Sequence, residues 1–227
     1  MSDVAANWLR VRRAVAAAAA RVDRDPAEVR VIVASKTKPV ETIREAMAAG
    51  LRDFGENYVQ EAAAKIAAIE GDVRWHMIGH LQRNKAARAV ELFDTIHTLD
   101  SVALGRALNR LGAARGAAVK VLIEINVGGE GSKAGIRPDE APALLAALAD
   151  EEYLSLEGLM TVPPPASPEV ARSFFRELRC LRDRLRQAAA ANAPLRELSM
   201  GMTDDFEVAV EEGATMVRIG RALLGER

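Results

Sequence analysis

Val31-Ile-Val-Ala-Ser-Lys36, followed by Thr37-Lys-Pro39, decides how the rest of the chain is read. A short apolar run closed by a proline reads as a buried strand leaving a sheet. Strand alternation puts Ile32, Ala34 and Lys36 on one face and Val31, Val33 and Ser35 on the other. Both faces are apolar until Lys36. An amine at the mouth of such a strand is costly unless it is solvated, paired or used chemically. Taken alone, escape of Lys36 to solvent is the plainer reading. The neighbouring elements decide between the two.

After the strand, Pro39 opens a helix with Val40, Ile43, Ala46 and Met47 at helical spacing, closed by Gly50. The strand–helix unit then repeats. Strands are expected at Asp53–Asn57, Trp75–Gly79, Thr95–Leu99, Lys120–Val127, Leu156–Val162, Glu197–Gly201 and Met216–Gly220, each followed by a helical pattern. An additional helix is expected near Val4–Val22, and Asp25-Pro26 reads as a cap and first turn before the first strand. Asp100 and Ser101 can cap the fourth strand's helix, and Thr203 that of Asp204–Glu212. Eight alternating units demand a parallel α/β sheet. An open doubly wound sheet fits the alternation, but eight units in 227 residues suit a closed (β/α)8 barrel of the TIM type. The expectation is one domain, 1–227, with an extra N-terminal helix.

Composition narrows the function. Lys and Arg total 31 and Asp and Glu 32, a net charge of −1 with no basic field for nucleic acid or an anionic membrane surface. The single Cys180 excludes an intrachain disulfide and fits a reducing compartment. No apolar stretch reaches membrane-spanning length, and the N-terminus carries no cleavable signal pattern. A cytoplasmic protein is expected. His76 and His80 share strand parity, but no Asp, Glu or Cys joins them at ligand spacing, so a structural role is expected rather than a metal. Glu124 and Asn126 should face the barrel interior, where burial requires hydrogen-bond partners; Asn57 is similar.

In a (β/α)8 barrel the chemistry gathers at the C-terminal strand ends. Gly201-Met-Thr203-Asp204 and Arg218-Ile-Gly-Arg221 end strands seven and eight and open helices, which is the usual phosphate site of this fold. Free N–H groups at a helix start favour an anion, Gly220 allows close backbone approach and the Thr203 hydroxyl can donate. With Lys36 on strand one, the mouth offers a Schiff-base amine and a handle for a phosphorylated aldehyde.

Val33-Ala-Ser-Lys-Thr-Lys-Pro39, Phe54-Gly-Glu-Asn-Tyr-Val-Gln-Glu61, His76-Met-Ile-Gly-His-Leu-Gln-Arg-Asn-Lys85, Gly158-Leu-Met160, Leu198-Ser-Met-Gly-Met202 and Val217-Arg-Ile-Gly220 span almost the whole chain. In these stretches the chain resembles the pyridoxal phosphate homeostasis protein family, whose barrel is similar to the alanine racemase N-terminal domain. The resemblance implies pyridoxal 5′-phosphate held on Lys36 as an internal aldimine. It implies phosphate contacts from Thr203, where the family commonly has Ser, and from the backbone of Gly220 and Arg221, where the family often has a small hydroxyl residue at 221. It implies that Arg218 points at the pyridine nitrogen, with Asn57, Ser199 and Gly201 lining the same end. Ser132-Lys-Ala-Gly135 matches a further family segment, making Lys133 a secondary amine for transient capture.

An arginine at the pyridine nitrogen weakens the ring as an electron sink, because arginine keeps its proton. The chain ends at Arg227 soon after the phosphate helix, and neither Tyr58 nor Tyr153 stands where a racemase's second domain would supply an acid/base tyrosine. The expectation is a monomeric, non-catalytic carrier that buffers or delivers pyridoxal phosphate, with transient contact to apo-enzymes that need it. The alternatives are an amino-acid racemase-like enzyme and an aldolase-like barrel using Lys36 on a phosphorylated sugar.

Overall fold

The computed structural model describes residues 3–131 and 134–225. Eight parallel strands pair in sequence order and close: β1 (Arg30–Ala34), β2 (Asp53–Glu56), β3 (Arg74–Met77), β4 (Thr95–Leu99), β5 (Val119–Glu124), β6 (Leu154–Met160), β7 (Glu197–Ser199) and β8 (Met216–Ile219). The α/β expectation thus resolves into the closed barrel rather than an open sheet. Closure pairs β1 with β8, setting Ile32 beside Arg218 and Val33 beside Ile219.

The helices are α1 (Asp3–Ala20), α2 (Val40–Ala48), α3 (Val59–Ala68), α4 (Ala86–Leu92), α5 (Val102–Arg115), α6 (Ala141–Ala147), α7 (Pro168–Arg186), α8 (Phe206–Glu211) and α9 (Arg221–Leu224). Each buries one stripe against the strands. In α2 that stripe includes the fully buried Ile43 and Ala46, and burying an isoleucine of this kind contributes about 2 kcal/mol. Phe54 and Trp75 from neighbouring strands stack on the helix side of the sheet, 5.6 Å between ring centres. The last helix has only four residues, too few to cover β8. The N-terminal α1 fills the gap and packs on α2, α8 and α9. Asn7 donates to the Leu223 carbonyl at 2.9 Å, which ties α1 to α9 at one wall of the barrel mouth.

Several boundaries differ from the sequence expectation. β1 stops at Ala34, so Lys36 lies two residues beyond the strand. Thr203 does not cap α8. Asp205 stands at the start of α8, and its carboxylate accepts the Met202 N–H at 2.6 Å. Thr203 Oγ1 instead accepts the Ala222 N–H of α9 at 3.4 Å. Three oxygen-bearing side chains follow one another here, and register chooses among them. Ser101 does cap α5, and Asp25 the turn before β1.

Candidate functional site

Ser35 and Thr37, on either side of Lys36, are both held by one buried cluster. The Ser35 N–H donates to the Gly55 carbonyl at 3.0 Å, and its hydroxyl donates to Glu56 Oε1 at 2.7 Å. Thr37 has φ of +64° and donates its N–H to Glu61 at 2.6 Å. Lys65 of α3 completes the cluster. Its ammonium donates to the Ser35 carbonyl, Glu56 Oε1 and Glu61 Oε1, each at 2.7 Å. Burial raises the Glu56 pKa, and the bonds from Lys65 and Ser35 only partly offset it. Burial also opposes the ionised form of Glu61, but Lys65, the Thr37 N–H and the Lys36 charge hold its pKa below the usual range.

Across from this loop stand the end of β8 and the start of α9. Lys36, Thr37 and Lys38 share a cavity of about 360 Å³ with Ala34, Gly220, Arg221 and Gly225. A side chain at 220 would press on β1, since its Cβ would lie 3.3 Å from the Ala34 carbonyl oxygen. Glycine is what lets the α9 start sit against the Lys36 strand. The backbone of Gly220 and Arg221 lies on this cavity's wall, while the Ala222 N–H meets Thr203 Oγ1 and the Leu223 N–H the Gly220 carbonyl. The Arg221 side chain pairs with Asp204 at 2.5 Å on the surface, leaving its backbone at the wall.

Arg218 lies buried in the barrel. It donates from Nη1 to the Ser199 hydroxyl at 2.6 Å and from Nη2 to the Thr161 carbonyl at 2.7 Å, while its backbone N–H reaches the Gly201 carbonyl at 2.9 Å. Burial pulls its pKa down to about 10, against the fields of Asp205 and Glu124. Gly201 has φ of +92°, and a Cβ there would sit 2.5 Å from that of Ala209. It therefore turns β7 tightly onto α8 and aims its carbonyl at β8. Ser199 also bonds His97 Nδ1 at 3.0 Å, His97 Nε2 meets His76 Nδ1 at 3.0 Å, and His76 Nε2 meets Asp53 at 3.1 Å.

The histidine at 80 is exposed beside Asp100, so it does not pair with His76. No metal-holding group of three or more side chains occurs among the described residues, and none of their helices is long and apolar enough to cross a membrane. Asn57 lines a neighbouring cavity of about 370 Å³ with Gly79, His80 and Lys85. Its Oδ1 is buried with no hydrogen-bond partner, as are Glu124 Oε2 and Asn126 Oδ1. Burial and the nearby Asp100 push the Glu124 pKa up to about 7, against Arg218. Buried polar atoms are normally satisfied, so these orphans mark the mouth as a place built to receive a polar molecule. Lys133, with Ser132, lies outside the described residues.

Lys36, Gly220 and Arg221 thus share one cavity, while Ser199, Gly201 and Arg218 form a bonded group in the barrel interior, two residues before Gly220 on β8. Thr203 reaches the same α9 start from β7's loop, and Asn57 stands apart. Sequence reading put Glu56 and Thr161 at the strand ends of the mouth without a role, and missed Lys65, Glu61 and His97 as parts of the site. Glu61 and Lys65 carry a readable i,i+4 spacing on α3, but that spacing usually marks a solvated surface pair.

The family model described as "Alanine racemase, N-terminal domain" matches residues 4–227. The chain is 43% identical to the pyridoxal phosphate homeostasis protein of Pseudomonas aeruginosa, covering 100% of this chain and 97% of that one. It is 42% identical to the protein of that name from Escherichia coli K12, covering 100% and 98%. Among solved structures, PipY of Synechococcus elongatus with pyridoxal phosphate bound matches with a TM-score of 0.86 at 37% identity, covering 98% of this chain and all of that one. Alanine racemase of Clostridium difficile matches with a TM-score of 0.70 at 16% identity and 59% of its length, which shows the fold alone. The chain belongs to the pyridoxal phosphate homeostasis protein family, whose barrel it shares with the alanine racemase N-terminal domain.

Proposed function

We propose that this protein binds pyridoxal 5′-phosphate on Lys36 and serves intracellular vitamin B6 homeostasis by holding and releasing it, without strong turnover. The observation that carries the reading is the cavity shared by Lys36 and the Gly220–Arg221 helix start, large enough for a small phosphorylated ligand. When bound, the cofactor supplies an aldehyde that condenses with an amine and a ring that withdraws electrons. Lys36 provides the amine. The N–H groups of Gly220 and Arg221 and the Thr203 hydroxyl hold the phosphate. Arg218 donates a hydrogen bond to the ring nitrogen, pinned by Ser199 and Thr161 and framed by Gly201.

The carrier reading rests on Arg218 and on the tyrosines. With its pKa at about 10, Arg218 keeps its proton at neutral pH and leaves the ring nitrogen uncharged. Tyr153 precedes β6 at the far end of the barrel, and Tyr58 is exposed at the start of α3 beside the other cavity. Neither is an acid or base for a ligand on Lys36. We further propose that residues 1–227 act as one cytoplasmic, monomeric barrel unit that meets cofactor-requiring apo-enzymes only transiently.

Borohydride reduction of the loaded protein, followed by peptide mass spectrometry, should place the cofactor mass on the Lys36 peptide, and Lys36→Ala should lose it. Label found elsewhere would overturn the site. Sustained racemisation of an amino acid, abolished by Lys36→Ala, would overturn the carrier reading in favour of a racemase-like enzyme.

A further inference from the structure

We infer that Arg218 is aimed by a one-way chain of hydrogen bonds running through the barrel interior to Asp53, with His97 as its positioning residue. The chain has four links: Arg218 to Ser199 at 2.6 Å, Ser199 to His97 Nδ1 at 3.0 Å, His97 Nε2 to His76 Nδ1 at 3.0 Å and His76 Nε2 to Asp53 at 3.1 Å. Ser199, His97 and His76 are each no more than 1% exposed, so the links are shielded from bulk solvent.

The two ends fix the direction. A guanidinium only donates, and an ionised carboxylate only accepts. Asp53 is also bound by Arg74 through both oxygens, at 2.8 and 2.7 Å, which keeps it ionised. His76 must therefore carry its proton on Nε2. If His76 is neutral, its Nδ1 is bare and His97 must donate from Nε2. His97 Nδ1 is then bare and the Ser199 hydroxyl donates to it. The Ser199 lone pair is left for Arg218, so each polar atom along the line is used and none conflicts.

The opposite direction requires a doubly protonated His76. Its charge would join Arg30 and Arg74 at the lower end and Arg218 above, with Asp53 the one carboxylate bonded to either histidine among the described residues. Glu124 and Asp205 act on Arg218 from the mouth side. That direction would also leave Ser199 accepting twice, from His97 and Arg218. The neutral chain avoids both. Together with the Thr161 carbonyl on Nη2, it pins both Nη groups and so sets the guanidinium plane.

The first test needs no cofactor. In 15N-histidine-labelled His80→Gln protein, only His76 and His97 remain. Long-range proton–nitrogen correlation spectra recorded in mildly alkaline buffer should show the proton of each ring on Nε2. A proton on Nδ1 of either ring would overturn the inference. The second test rests on the proposed placing of Arg218 at the ring nitrogen. His97→Leu should shift the absorption band of the loaded protein and weaken retention about tenfold, because the Ser199 hydroxyl loses its acceptor and no longer keeps a lone pair turned to Arg218. His97→Asn, whose Oδ1 can take the place of Nδ1 as acceptor, should restore most of both. If His97→Leu does not fold, Ser199→Ala breaks the same link with less change of volume and should give the same shift. Equal defects in the Leu and Asn variants, with Lys36 still labelled, would overturn the positioning role. Failure of the wild-type protein to load at Lys36 would instead sink the cofactor reading, and the tautomer spectra would still decide the chain's direction.

Discussion

Glu61 accepts the Thr37 N–H at 2.6 Å, and this bond holds a β-branched residue at φ of +64° directly after Lys36. A left-handed backbone costs such a residue about 1–2 kcal/mol. The strain is sustained by Glu61 on one side and by Lys65 on the Ser35 carbonyl on the other. Thr37→Gly should therefore raise unfolding stability by about 1 kcal/mol, after the loss of backbone entropy is subtracted. It should also speed release of the ligand from Lys36, because the loop loses its preferred shape. Urea unfolding and a cofactor-release trace measure the two effects; slower or unchanged release would show that the strain does not hold Lys36.

Lys65→Met should be strongly destabilising at neutral pH, by about 3 kcal/mol. It leaves the fully buried Glu56 without its ammonium partner. Glu56 already has a raised pKa in the presence of Lys65. Its removal raises that pKa further, so Glu56 takes up a proton more readily in the variant. The defect should shrink as pH falls, and Lys65→Met combined with Glu56→Gln should recover much of the loss. Urea midpoints at two pH values check this; a defect that stays constant with pH would mean that packing, not charge, is responsible.

Much of this site is legible in the sequence because strand parity is local. Alternation groups Ile32 with Ala34 and Arg218 with Met216 and Gly220, and the structure pairs Ile32 with Arg218 accordingly, although β1 stops short of Lys36. The fold follows from the alternation and length in the same way. What parity does not carry is register between distant strands. The β4–β5 and β5–β6 pairings both shift partway along, so no counting from residue 97 reaches residue 199. The same holds for Thr203, because Thr203-Asp-Asp205 offers three capping oxygens and only the packing of α8 and α9 assigns them. Lys65 is hidden for another reason. Its i,i+4 partner Glu61 suggests a surface pair, and its burial depends on the Ser35 loop folding over it.

Asp53 should make stability fall in acid. Burial works against its charge, but bonds from Arg74 and His76 outweigh burial and hold its pKa at about 2. A depressed carboxylate pKa contributes stability that is fully present above the unfolded value near 4 and is lost as pH falls toward 2. The contribution is about 2 kcal/mol. Asp53→Asn should be less stable by about that amount at pH 7, with the difference closing by about pH 2. Thermal unfolding across that range tests the sign, and a gap that widens in acid would contradict it.

Glu124 should act in the opposite sense. Burial, then the field of Asp100, push its pKa up to about 7, and Arg218 only partly opposes them. A raised carboxylate pKa favours the fold while the group is protonated. That advantage is fully present below the unfolded value near 4.5 and is lost as pH rises through 7. The buried, unpartnered Oε2 gives the ionised form nothing to accept from. Glu124→Gln keeps the shape and removes the charge. The variant should match the wild type at about pH 4 and become more stable as pH rises, by up to about 3 kcal/mol above about pH 8. Ligand binding supplies a second readout, since a charge at the mouth repels an anionic phosphate. Retention of the cofactor by the wild type should weaken between about pH 6 and about pH 8 more than retention by Glu124→Gln does. Parallel curves for the two proteins would show that Glu124 ionises without being felt at Lys36.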